Sequence, residues 1–119
     1  MALENREAGT RGEDIACRLL MANGYEILDR NFRIGRAEID IIALDGECLV
    51  FAEVKARSSV GFGLPETTIS ARKAELMEEK MHLYASTIGW AGDRRLDIIA
   101  IVLHVDGYAA LVLQNAIGL

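Results

Sequence analysis

Between Gly35 and Arg57 the chain reads GRAEIDIIALDGECLVFAEVKAR, and three carboxylates and a lysine, Glu38, Asp40, Glu53 and Lys55, interrupt runs that are otherwise apolar. Carboxylates converging from two strands can share a divalent cation, and hard oxygen ligands suit Mg²⁺ or Mn²⁺. Such an ion lowers the pKa of bound water and polarises an oxygen of a bound substrate, while a nearby ammonium can stabilise developing negative charge. The chemistry within reach is therefore metal-assisted hydrolysis.

The segment reads as a β-hairpin turning at Asp45-Gly46. With those two residues at the centre of a tight turn, Leu44 pairs with Glu47, Glu38 faces Glu53, Asp40 faces Phe51 and Ile42 faces Leu49. Lys55 joins that surface opposite Arg36. Asp40 and Glu53 become diagonal neighbours with Cβ atoms about 7–8 Å apart, a gap their side chains can close onto one cation. Without a cation, two such carboxylates repel one another and at least one should hold a proton. The other surface, Ala37, Ile39, Ile41, Ala43, Cys48, Val50, Ala52 and Val54, carries no charge and must be buried. A Glu-x-Lys alternation is by itself an ordinary solvated strand face. Here the same face also carries Ile42, Leu49 and Phe51, so it is partly covered, with a polar end.

Other elements must hold this hairpin in place. Thr10 and Glu13 have capping-box spacing ahead of Ile15, Ala16, Leu19 and Leu20, which predicts a helix from about Thr10 to Gly24 and a flexible segment over residues 1–9. Glu13 falls on the inward stripe of that helix, so it can serve both as cap and as site residue. Tyr25 to Asn31 reads as a short strand, with Arg30, Arg33 and Arg36 around the following turn. Gly61 to Pro65 should be a mobile loop, Ser70 to Ile88 a second helix, and Arg95–Leu103 and Tyr108–Ile117 two strands joined at Asp106-Gly107. The order predicts an α/β protein with a mixed central sheet flanked by helices.

The whole chain, residues 1–119, fits one domain, and a 51% hydrophobic composition with a single proline places it among ordinary globular proteins. Cys17 and Cys48 lack metal-ligand or CxxC spacing, which predicts reduced thiols and a cytoplasmic setting. The N-terminal residues mix acids and bases unlike a signal peptide, and no apolar run approaches membrane-spanning length. His82 and His104 are isolated and receive no role. A formal charge of −5 argues against a protein that coats nucleic acid through general basicity. Bound divalent ions would offset part of that charge, and the local distribution then matters more than the sum.

Asp40, then Glu53-Val54-Lys55 thirteen residues on, after a helix carrying Glu13, resembles the core of the PD-(D/E)xK nucleases. GTRGEDIA (Gly9–Ala16), NFRIGRAEIDIIA (Asn31–Ala43), LVFAEVKAR (Leu49–Arg57), Lys73 on the second helix and RLDIIAI (Arg95–Ile101) resemble the YraN-like family of small bacterial proteins, related to archaeal Holliday-junction resolvases. The resemblance runs from about Gly9 to Ala116. It implies a restriction-endonuclease-like αβββαβ core. It also implies Mg²⁺ or Mn²⁺ on Asp40 and Glu53, with Glu13 as a further or water-bridged ligand and Lys55 beside the reacting phosphate. Ala37 stands where that family usually has glycine, and Leu96 where it usually has phenylalanine; neither change removes a ligand.

The function expected is a metal-dependent endonuclease on DNA, with branched or otherwise non-standard DNA as the substrate that analogy with the resolvases suggests. Arg33, Arg36, Arg57 and Lys73 are candidates for a phosphate-tracking rim. Lys73 stays outside the catalytic set because a lysine on an amphipathic helix is ordinarily solvated; Asp97 can pair with Arg95 or a neighbouring lysine, but a surface acid at a strand end is the favoured reading. A homodimer is open, since branch recognition depends on oligomer geometry. Two other classes compete: a nucleic-acid-binding module that keeps the fold without cleaving, and a protein-interaction scaffold.

Overall fold

The structure, a computed structural model, describes residues 2–35, 37–58 and 69–116, with the backbone alone for 2–8. Arg36 and the loop expected at Gly61–Pro65 lie outside the described residues. In chain order the elements are α1 (Ala2–Ala22), β1 (Glu26–Ile34), β2 (Ala37–Asp45), β3 (Cys48–Ser58), α2 (Ala71–Ile88), β4 (Asp93–His104) and β5 (Gly107–Leu113). The five strands form one mixed sheet in sequential order, antiparallel except for the β3–β4 pair. That parallel pair needs a crossover, and α2 supplies it. The expected αβββαβ core is present, with β5 added at the edge.

Each helix buries one face of the sheet. Ala16, Cys17 and Leu20 of α1 pack on Ile41, Ala43, Ala52, Ile99, Ile101 and Leu103, with Val54 and Ala56 against them. On the opposite face Met77, Met81, Tyr84 and Ala85 of α2 cover Ile39, Ile42, Leu49, Phe51 and Leu96. The rings of Phe32 and Phe51 meet Tyr84 edge-on, with centroids 5.0 and 5.8 Å away, an arrangement that adds specificity to the area buried. Ser70 caps α2, its hydroxyl accepting the Lys73 N–H, and Gly89 closes it in the left-handed conformation with φ 72°.

Several boundaries differ from the sequence reading. Helix α1 begins at Ala2, so Thr10 lies inside it and caps nothing, and the segment expected to be flexible is helical. Its run of Ala, Leu, Glu and Arg has high helix propensity, which carries the helix back past Gly9. Strand β1 extends to Ile34, taking Arg30 and Arg33 into the strand, and the turn falls at Gly35 with φ 60°. Strand β5 ends at Leu113, short of Ile117.

The hairpin register also differs. Asp45 pairs with Cys48, Leu44 with Leu49 and Ile42 with Phe51, so the turn centres on Gly46-Glu47. Gly46 takes the positive φ of 58° at the first central position, which only glycine adopts cheaply and which selects a Gly-X turn over an Asp-Gly one. The register moves by two residues, an even step that leaves Ile42, Leu49 and Phe51 together on one face.

Asp97 is buried and paired, not a surface acid. Both of its carboxylate oxygens accept from Arg95 Nε at 3.1 Å, and Oδ1 also accepts the Asn115 N–H at 3.0 Å. Arg95 Nη2 donates in turn to Tyr25 Oη at 2.7 Å and Asp45 Oδ2 at 3.0 Å. This network ties the residue before β1, β2, β4 and the segment after β5 together at the hairpin-turn end of the sheet. Replacing Arg95 by methionine should leave Asp97 as a buried charge without its ionic partner and cost about 3–5 kcal/mol in urea unfolding. Adding Asp97→Asn to that variant should recover part of the loss. Equal stability of Arg95→Met and the unaltered protein would show that the network contributes nothing.

Candidate metal centre

The site grows from a place where strand pairing stops. The β2–β3 ladder runs from Asp45↔Cys48 to Ile41↔Ala52 and goes no further, although both strands continue. The next orphaned donor, the Val54 N–H, bonds at 2.8 Å to Oδ2 of Asp40, a side chain in place of a backbone carbonyl. The carboxylate is thereby anchored at the level of the sheet, half-buried, with its second oxygen left for other partners.

Strict alternation fails at the same level. In β1, Arg30 reaches Asp14 of α1 at 2.9 Å while Phe32 packs on Tyr84 of α2, so residues two apart point to opposite faces. Asn31 between them has φ 53°, a left-handed conformation that asparagine tolerates better than most residues. In β2, Ile39 joins the α2 side and Ile41 the α1 side, with Asp40 between them. The expectation that Ala37, Ile39, Ile41 and Ala43 share one face is therefore corrected. Glu38, expected beside Ile42, lies instead on the α1 side.

That reversal brings Glu38 to Glu13. One carboxylate oxygen each from Glu13, Glu38 and Asp40 can be chosen so that all lie within 4.8 Å of one another. The Asn31 amide bridges two of them: with its NH₂ turned to these acceptor-only groups, it donates to Glu13 Oε1 at 2.6 Å and Glu38 Oε1 at 2.7 Å. Arg33 pairs with Glu38 from outside at 3.3 Å. Glu13 reaches this position because Gly12 is buried against β3: a Cβ at Gly12 would overlap the Ala56 methyl and lie 3.6 Å from Val54 Cγ1. The absence of a side chain there lets the helix settle onto the strand and carry its next residue to the sheet.

Glu53 approaches from the α2 side. Lys73 of α2 donates to its Oε1 in an ion pair between a half-exposed lysine and a largely enclosed carboxylate. Its other oxygen, Oε2, is buried and accepts no hydrogen bond among the described residues. A buried acceptor without a donor costs about 1–3 kcal/mol or more, so such an atom points to a partner of another kind. Lys55 and Arg57 are half-buried further along β3, and Arg33 is exposed.

Burial raises the Asp40 carboxyl from 3.8 to about 6, against the Val54 hydrogen bond, with the Glu53 and Glu38 charges adding to the rise. Burial also raises Glu13, helped by the Asp40 charge and opposed by Arg30. The folded, metal-free site thus holds a proton more tightly than the unfolded chain does. For Asp40 that contribution to stability is fully present below about pH 4 and is lost as pH rises through about 6.

Of the residues expected from the sequence, Asp40 and Glu13 stand together and Glu53 borders Asp40 closely enough to shift its titration. Glu38, Asn31 and Lys73 join them. The sequence reading set Glu38 in the charged cluster opposite Glu53 without a ligand role, and it missed Asn31, whose one signal is an asparagine, more tolerant of positive φ than most residues, within a strand.

A family model described as "Uncharacterised protein family UPF0102" matches residues 12–101. A "UPF0102 protein" of Chlorobaculum parvum is 46% identical over 100 residues, covering 79% of this chain and 74% of the relative. One from Moorella thermoacetica is 40% identical over 104 residues, 87% of each chain. A third, from Cytophaga hutchinsonii, is 38% identical over 99 residues, covering 83% of this chain and 88% of its own.

In chelator, unfolding free energies of the unaltered protein and Asp40→Asn should diverge between pH 4 and pH 6. The unaltered protein should lose on the order of 2–3 kcal/mol relative to the variant as pH rises. Parallel pH profiles would mean that the Asp40 carboxyl is not desolvated as the structure has it.

Proposed function

The chain belongs to the uncharacterised protein family UPF0102, the YraN family that its motifs resemble, and from that premise we propose that it is a divalent-metal-dependent endonuclease hydrolysing DNA phosphodiester bonds. The observation that carries this reading is the buried, unpartnered Oε2 of Glu53 beside the anchored carboxylate of Asp40. All available donors are hard oxygens, the set that Mg²⁺ or Mn²⁺ takes. Asp40 and Glu53 would hold the ion, with Glu13 as a further ligand. When bound, it would supply a water of lowered pKa and an electrophilic contact to a phosphate oxygen.

The chain's own groups account for the remaining requirements. The Val54 N–H fixes the Asp40 carboxylate so that it need not reorganise during reaction. Lys55 is two residues beyond Glu53, on the same face of β3, where its ammonium can stabilise charge on the reacting phosphate. Arg33 and Arg57 would track the flanking phosphates, as would Arg36, which lies outside the described residues. Branched DNA is the substrate favoured by the resolvase-like motifs. A cytoplasmic setting fits the free thiols of Cys17 and Cys48, and among the described residues no helix is long and apolar enough to cross a membrane.

Lys55, two residues from Glu53 on the same strand face, favours this reading over a module that only binds. Single-stranded, duplex, flap and four-way-junction DNA should be incubated with Mg²⁺ or Mn²⁺ and with the unaltered protein, Lys55→Ala or Asp40→Asn. Cleavage is expected from the unaltered protein, with the junction cut best, and a loss of about 10²–10³ in Lys55→Ala. Binding without cleavage on every substrate would favour the non-catalytic module. Cleavage persisting in both variants would expose a contaminant.

A further inference from the structure

Lys73 reaches into the site from outside it. Its side chain is 47% exposed while that of its partner Glu53 is only 15% exposed, so the ammonium descends from solvent onto an enclosed carboxylate. The backbone that carries it is held independently: the Lys73 N–H is taken by the Ser70 hydroxyl at 3.2 Å in the first turn of α2. The origin of the side chain is therefore fixed whether or not the ion pair is made, and a four-carbon stem can turn about it.

Glu53 offers two oxygens, one engaged by Lys73 and the other buried without a hydrogen-bond donor. A divalent ion on Oε2 would stand within a few ångströms of the Lys73 ammonium, in surroundings where Coulomb repulsion is far less screened than in water. Asp40, the neighbouring carboxylate, also feels the Lys73 charge. Two cations on one carboxylate at that separation repel each other, so binding the divalent ion weakens the hold on the ammonium. The ammonium is the one free to leave, because its half-exposed side chain has solvent on its outer side.

We propose that Lys73 is a displaceable counter-ion: it neutralises Glu53 while no divalent ion is bound, and when one binds it turns outward to contact a substrate phosphate at the mouth of the site. This rests on the nuclease reading and adds to it a residue that couples metal occupancy to nucleic-acid affinity. The exposed Arg72 next to it at the N-terminus of α2 makes the same edge favourable for phosphate.

The test uses Mn²⁺ alone, titrated calorimetrically into the unaltered protein, Lys73→Met, Lys73→Gln and Lys73→Arg. Removing the charge should tighten Mn²⁺ binding about tenfold or more, whereas Lys73→Arg should stay within about threefold of the unaltered protein. A duplex-binding series at varied salt supplies the second readout. With Ca²⁺ present, which takes the same hard oxygen ligands, the salt slope of Lys73→Met should be smaller by about one phosphate contact; without a divalent ion the slopes should coincide. If the unaltered protein binds Mn²⁺ and both neutral variants bind it no more tightly, the exchange is overturned while the nuclease reading stands. If neither the unaltered protein nor any variant binds Mn²⁺, both fall. Slopes that coincide with and without Ca²⁺ overturn the phosphate contact.

Discussion

One hydrogen bond organises this molecule's chemistry, that from the Val54 N–H to the Asp40 carboxylate. A backbone donor at the point where two strands part must find an acceptor or bear the cost of burial without one. Supplying that acceptor from a side chain does two things together. It ends the β2–β3 ladder after Ile41↔Ala52, and it fixes an ionisable group at the level of the sheet. The acid cannot be fully compensated there, since burial and the Glu53 and Glu38 charges push it towards protonation more strongly than the one hydrogen bond opposes. The fold is thus stable around a site that favours an added positive charge.

The surrounding packing makes that concentration of charge possible. Gly12 allows α1 to lie close against Val54 and Ala56, which brings Glu13 to the carboxylates. Asn31, in a left-handed conformation, both reverses the facing of β1 and bridges Glu13 to Glu38 with its amide. Arg30 and Arg33 pair with Asp14 and Glu38 at the periphery, where exposure limits such pairs to small energies. From the other face Lys73 meets Glu53. Each helix therefore contributes a charged residue to the same break in the sheet, one a carboxylate and the other an ammonium.

The two ends of the sheet divide the work. At the hairpin-turn end, Arg95, Asp97, Asp45, Tyr25 and the Asn115 backbone form a buried network in which both Asp97 oxygens are satisfied. Such a network gives rigidity and a defined arrangement of chain segments. At the other end Glu53 keeps a buried oxygen with no donor among the described residues. Local inconsistency of this kind is expected where function overrides stability, and a rigid far end lets the fold tolerate it.

Much of this was legible in the sequence because it depends on local periodicity. The alternation of strands and amphipathic helices, the Gly46 turn and the apolar face of the hairpin determined an α/β protein with a mixed sheet, and they placed Asp40 and Glu53 near one another. An even register shift could not separate Ile42 from Phe51, so the division of that hairpin near its turn survived an error in the turn residues. What only tertiary structure decided lies where periodicity breaks. Asn31 and Asp40 sit at a facing reversal that no alternating pattern encodes, so Glu38 was set against Glu53, whereas the fold sets it against Glu13. Asp97 was given the weaker of its two readings, a surface acid over a partner of Arg95, because the sequence does not show that β4 is an interior strand that buries it. Lys73 joined Glu53 across twenty residues because the crossover returns α2 over β3. Sequence spacing determines which side chains a single element presents, whereas partners on different elements are chosen by how those elements pack, and most of the charged groups in this site found theirs in that second way.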